Sequence, residues 1–144
     1  MTATRPKVYA IIPAAGAGTR IPGPVRKQFL VLAGKPVLVH TVQRFERCAE
    51  VDEVVLAVPE DALAETESLV SRFRLHKVSR VVAGGAQRQD SVYHAVSRLN
   101  FRSRDIVLVH DGVRPFIEAA KIQEVIRACR DADAAVVAVQ PKDT

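Results

Sequence analysis

Strand-like and helix-like segments alternate along the whole of this 144-residue chain. Short runs rich in Val and Ile read as strands at Val8–Ile12, Glu53–Val58, Lys77–Ala83, Ile106–Val109 and Ala134–Val139. Most are continuously apolar, as parallel strands are when both faces of the sheet are covered. Between them lie stretches with apolar residues at helical spacing. Pro36–Arg47 carries Leu38, Val42 and Phe45, and Ala62–Phe73 carries Leu63, Val70 and Phe73, with Asp61 as a candidate N-cap. Gln89–Leu99 carries Val92, Val96 and Leu99, and Glu118–Arg130 carries Ile122, Ile126 and Cys129. This alternation predicts an α/β fold, a Rossmann-like doubly wound and mostly parallel sheet with right-handed crossovers. The length fits one domain, residues 1–144.

In such sheets ligands bind beyond the carboxyl ends of the strands. Three unusual loops fall there. Pro13-Ala14-Ala15-Gly16-Ala17-Gly18-Thr19-Arg20 follows the first strand, with Lys27 soon after. Small residues let backbone N–H groups approach phosphate oxygens, and Arg20 and Lys27 supply fixed positive charge. A P-loop is excluded, because Pro24 follows Gly23 where the Lys and hydroxyl should stand. A dinucleotide fingerprint is excluded, because Ile21 occupies the third Gly position. The alternative is an ordinary Gly-rich turn. The second loop is Gly84-Gly85-Ala86-Gln87-Arg88, with Ser91 one turn later. Its residues suit an anion or a polar base edge at a helix N-terminus, or a plain β–α turn with a capping Ser. The third is His110-Asp111-Gly112-Val113-Arg114-Pro115. Asp111, at a strand tip, suits Mg²⁺, which takes one or two carboxylates plus substrate phosphates. It also suits a helix N-cap or turn. Arg114 either meets a phosphate or holds Asp111. His110 and Asp111, as strand neighbours, are expected to face opposite ways.

Other chemistries find little support. The two cysteines make no disulfide framework, and the four histidines show no metal-ligand spacing. No Ser–His–Asp or Cys–His arrangement stands out. The net charge of +5 is spread along the chain, and aromatic residues make up only 5% of it, so stacking platforms for nucleic acid are scarce. No apolar run approaches ~18 residues, and the polar N-terminus lacks signal-peptide organisation. The expectation is a cytoplasmic protein that binds neither membrane nor nucleic acid. A cationic, metal-assisted site without a covalent nucleophile fits phosphoryl or nucleotidyl transfer.

These three motifs, in this order and spacing, resemble those of the 2-C-methyl-D-erythritol 4-phosphate cytidylyltransferases: Pro13-Ala14-Ala15-Gly16-x-Gly18-x-Arg20 with Lys27-Gln28-Phe29, Gly84-Gly85-x-x-Arg88-x-x-Ser91-Val92, and Val109-His110-Asp111-Gly112-Val113-Arg114-Pro115-Phe116. The resemblance implies the nucleotide-diphospho-sugar transferase type of fold and the reaction of CTP with methylerythritol phosphate to give CDP-methylerythritol and pyrophosphate. It implies that Ala14, Ala15, Gly16 and Gly18 line the triphosphate and that Arg20 and Lys27 stabilise the transition state. Gly84, Gly85, Arg88, Ser91 and Gly112 would shape the nucleoside site, Asp111 would hold Mg²⁺ or another divalent cation, and Arg114 and Thr144 would meet the acceptor.

Ala86 departs from the family pattern, which often has an acid there. Family members continue past the position of Thr144 with a dimerisation arm and further acceptor residues. The resemblance therefore implies a truncated domain that binds CTP but turns over poorly, and that forms a homodimer only with the remainder present. Ribitol-5-phosphate cytidylyltransferases are close relatives, but their first loop more often reads Leu-Ala-Gly-Gly and they lack the Ser-Val pair. A non-catalytic nucleotide- or polyanion-binding module is the alternative of another class.

Overall fold

A computed structural model describes residues 5–16 and 23–140. Its main sheet is built from β1 (Val8–Pro13), β4 (Glu53–Val58), β5 (Val78–Ala83) and β6 (Ile106–Val109), in the order β5-β4-β1-β6 with every pair parallel. Ile11 lies between Val55 and Val109, and Ala10 between Val54 and Leu108. The period of two along the strands sorts the apolar residues between two faces. Val8, Ala10, Ile12, Val54, Leu56 and Val58 join one core with α1 (Val37–Glu46), α2 (Leu63–Arg72) and α4 (Ala119–Asp131). That core holds Leu38, Val42, Phe45, Ile122 and Ile126. Ile11, Val55 and Ala57 face the other way, onto Ala95, Val92 and Val96 of α3 (Arg88–Val96). Helices thus cover both faces, which is why β1 and β4 tolerate unbroken apolar sequence. No helix among the described residues is long and apolar enough to cross a membrane.

The chain order makes a switch point. From β1 the chain steps outward to β4 and β5, then returns on the other side of β1 to form β6. In open sheets of this kind, ligands bind beyond the carboxyl ends of the strands at such a switch point.

Three expectations need correction. Ala134–Val139 is not a strand: among the described residues it has no pairing partner, with Val136 87% and Val139 88% exposed. Val and Ile content alone does not make a strand, because the backbone groups need a neighbouring strand to bond. Asp61 does not cap a helix. A 3₁₀ turn over Glu60–Ala62 precedes α2, and the Asp61 carboxylate instead takes a two-pronged pair with Arg26 at 2.8 and 2.9 Å. That pairing holds the Asp61 carboxyl below its ordinary range. The third correction is a small hairpin, β2 (Val31–Leu32) with β3 (Lys35–Pro36), that the sequence patterning did not predict. Its turn places both Ala33 (φ 47°) and Gly34 (φ 80°) in the left-handed region, as a tight hairpin turn requires.

Candidate active site

Backbone pairing continues past the strand ends and sets the three loops in register. The Ala14 amide donates to the Ala57 carbonyl at 2.7 Å, the Gly84 amide to Val58 at 2.8 Å, and the Gly112 amide to Pro13 at 3.0 Å. The loops then touch through their smallest residues. A Cβ at position 84 would overlap that of Ala15 and stand 2.7 Å from Ser91 Oγ. One at position 112 would lie 2.8 Å from the Ala14 Cβ and 3.1 Å from Leu38 Cδ1. Ala14 and Ala15 are therefore held between the loops after β5 and β6. The structure brings together Ala14, Ala15, Gly84 and Gly112, as expected. Gly18, Arg20 and Thr144 lie outside the described residues.

Ser91 turns out to work inward. It is 2% exposed, its Oγ accepts from the Gly85 amide at 3.1 Å, and it donates to the Gln87 carbonyl at 3.3 Å. Asp90 accepts from the Gln87 amide at 3.0 Å. Together they fix the Gly84-Gly85 turn and the start of α3, where Arg88 projects.

Arg88 reaches across to the third loop. Its Nε donates to Asp111 Oδ1 at 2.8 Å, while Arg114 Nε donates to Asp111 Oδ2 at 3.1 Å. Partial burial pushes the Asp111 carboxyl up, but the bonds and charge of Arg88, then Arg114, outweigh it and leave the carboxyl below the ordinary range. Both arginines use only Nε here, so among the described residues their terminal NH₂ groups have no acceptor. Of the two roles open to Arg114, holding Asp111 is the one the geometry displays. His110 does not simply oppose Asp111 across a strand, because β6 ends at Val109. Its ring packs 5.2 Å from Phe45, and its Nε2 lies 2.9 Å from the Arg114 carbonyl.

Residues on α1 brace this loop, and nothing in the sequence motifs marked them. Thr41 Oγ1, fully buried, donates to the Gly112 carbonyl at 2.8 Å, and Arg44 Nε donates to the Pro115 carbonyl at 3.0 Å. Their only sequence signal is a polar residue on an otherwise apolar helix face.

Lys27 begins a 3₁₀ turn, Lys27–Phe29, whose Gln28 and Phe29 are buried. Gln28 Nε2 donates to the Ala14 carbonyl at 2.6 Å, which docks the turn against the first loop. Lys27 itself is half-buried and forms no ion pair among the described residues. Those residues contain no cluster of three or more His, Cys, Asp or Glu side chains. Among the described residues Asp111 belongs to no such cluster.

The sequence matches the family described as IspD, 2-C-methyl-D-erythritol 4-phosphate cytidylyltransferase, over residues 8–144. It is 48% identical over 137 residues to the enzyme of that name from Symbiobacterium thermophilum, covering 95% of this chain and 56% of the relative. The chain therefore spans a little over half the length of that relative. Among solved structures it resembles 4-diphosphocytidyl-2C-methyl-D-erythritol synthase from Anaerococcus prevotii, with 28% identity and a TM-score of 0.71, covering 87% of this chain and 51% of that one. It also resembles a CMP:2-keto-3-deoxy-manno-octonic acid synthetase solved with CTP, with 25% identity and a TM-score of 0.70, covering 89% of this chain and 49% of that one.

Proposed function

Since the chain belongs to the 2-C-methyl-D-erythritol 4-phosphate cytidylyltransferase family, we propose that it binds CTP at the switch point. In a chain of the relatives' full length, it would serve the transfer of CMP from CTP to methylerythritol phosphate. The observation that carries this reading is the convergence of Ala14, Ala15, Gly84 and Gly112 beside a carboxylate flanked by two arginines.

In this reading the backbone of Ala14–Gly16 lines the triphosphate, with Gly18 continuing the loop. Gly84, Gly85, Arg88 and Gly112 shape the nucleoside side, and Ser91 acts through the Gly85 amide it holds. An acceptor phosphate oxygen attacks the α-phosphorus in line, the bond to the bridging oxygen breaks, and pyrophosphate leaves. No enzyme nucleophile takes part, so rate comes from positioning and charge neutralisation. Lys27, with Arg20, supports the charge that builds on the α-phosphoryl oxygens. Arg114 and Thr144 would contact the acceptor. Asp111 fits Mg²⁺ or a similar hard cation: each oxygen spends one lone pair on an arginine and keeps another that could meet the cation, which would also draw on substrate phosphates. Such a cation would neutralise triphosphate charge and orient the departing pyrophosphate.

Calorimetric titration with CTP, ATP, GTP and UTP in Mg²⁺ tests this. Saturable binding selective for CTP is expected. Binding that ignores the base and falls steeply with salt would overturn it in favour of a polyanion-binding module. The acceptor is tested in the same protein extended to the relatives' length, with methylerythritol phosphate beside ribitol 5-phosphate. Turnover with the first alone is expected.

A further inference from the structure

Gln28 is a large polar side chain with almost no contact with water, 2% exposed. A buried amide must be hydrogen-bonded, and where its donors go shows what it holds. Gln28 Nε2 donates to the Ala14 carbonyl at 2.6 Å and lies 3.5 Å from the Gly16 carbonyl. Both acceptors belong to the first loop, and the donor sits next to Lys27. The described residues contain no cis peptide, and in a trans peptide the C=O and the following N–H point in opposite directions. With the Ala14 carbonyl turned onto Gln28, the Ala15 N–H is turned away from it. Among the described residues that N–H has no acceptor.

We propose that Gln28 is a positioning residue for phosphate capture: it draws the Ala14 and Gly16 carbonyls inward so that loop amides face the anion, and it fixes the turn that carries Lys27. The chemistry is that of a backbone nest, in which oriented N–H groups bind phosphate oxygens. A Gly- and Ala-rich loop has little stiffness of its own, so its orientation has to come from outside, and Gln28 provides that contact here. This inference rests on the triphosphate reading above and assigns part of its machinery.

The test combines a ligand-free and a ligand-bound measurement on the wild-type chain and Gln28→Leu, which keeps an apolar bulk but removes both donors. Without ligand, ¹⁵N relaxation should give Ala15 and Gly16 order parameters of about 0.85 in the wild type and below about 0.6 in the variant, with strand amides unchanged. With ligand, Kd for CTP and for inorganic tripolyphosphate should rise about tenfold or more, as the competent loop population falls. Kd for cytidine should stay the same, which a general loss of structure would not allow. If Gln28→Leu fails to fold, the wild type alone decides through its Gln28 side-chain NH₂ protons. Slow exchange with solvent is expected, and exchange as fast as in a free amide would overturn the proposal. Unchanged order parameters with intact CTP binding in the variant would overturn only the role of Gln28. A wild-type chain binding neither CTP nor tripolyphosphate would overturn the nucleotide reading and, with it, the phosphate part of this inference.

Discussion

Substituting Gly112 by Ala tests the site through a single methyl group. Its Cβ would lie 2.8 Å from the Ala14 Cβ, 3.1 Å from Leu38 Cδ1 and 3.3 Å from the Pro13 carbonyl oxygen. Carbon atoms prefer about 3.5–4.0 Å, so Ala14 and residue 112 must part by roughly 1 Å. Leu38 can give a little by rotating its tip, but the other two contacts are with a main-chain oxygen and a methyl fixed to the backbone. Position 112 is also held from both sides. Its amide donates to Pro13 at 3.0 Å, and its carbonyl accepts from Thr41 at 2.8 Å. Relief must therefore come from moving the first loop. Overpacking of this kind costs about 1–3 kcal/mol, a fall of roughly 3–10 °C in Tm for a domain of this size. Losing one loop N–H bond to a charged phosphate costs about 1.5–3 kcal/mol, or roughly ten- to a hundredfold in Kd for CTP.

Differential scanning calorimetry and CTP titration read the two effects. Ala14→Gly supplies the control, since it removes the methyl that Gly112→Ala strikes. In the double variant part of the loss should return, with a coupling of about 1–2 kcal/mol. The Pro13 and Leu38 contacts keep recovery incomplete. A Gly112→Ala protein with unchanged Tm and Kd, or a double variant whose losses simply add, would refute the contact between the first and third loops.

Three further outcomes follow from the same geometry. Lys27→Ala should weaken CTP binding while changing stability by no more than about 0.5 kcal/mol, because Lys27 has no ion-pair partner among the described residues to lose; paired titration and thermal melts check this. Asp111 has its carboxyl lowered, so its pairing with Arg88 and Arg114 supports the fold above its ordinary pKa of about 4 and is lost as pH falls through the lower folded-state value. The Tm gap between wild type and Asp111→Asn should therefore be widest at neutral pH and close below pH about 4, and a gap that persists undiminished at the acid end would contradict it. Phe45→Ala, at a side chain 1% exposed and packed at a tilt against the His110 ring, should cost about 3–5 kcal/mol in urea denaturation.

The contrast between what the sequence revealed and what it hid has a physical origin. The four strands of the main sheet and the four α-helices among the described residues were legible because apolar spacing is a local signal, and the burial it predicts was found at Ile12, Val54, Leu38 and Ile126. Ala134–Val139 carries the same local signal but no strand, since pairing depends on a neighbour that spacing does not reveal. The hairpin at Val31–Pro36 failed in the opposite direction: two-residue strands are too short for any periodicity, and Ala33 is not a residue one expects at φ 47°.

At the site, composition and position picked out Ala14, Gly84, Asp111 and Gly112, because close approach demands small residues and a strand tip exposes a carboxylate. The choice of partners stayed hidden. Arg88 and Asp111 are 23 residues apart, and Thr41 and Gly112 are 71 apart. Asp111 shows why that matters for function. Read alone, it is one negative charge and a candidate metal ligand. With Arg88 and Arg114 on its two oxygens, it belongs to a cluster that is positive overall and, among the described residues, leaves the terminal donors of both guanidiniums without an acceptor. A cluster of that net charge favours a polyanion, and the same carboxylate that would hold a cation bridges the two arginines. In the proposed reading, charge neutralisation and placement of the ligand become properties of three residues from two loops, a grouping that only the fold creates.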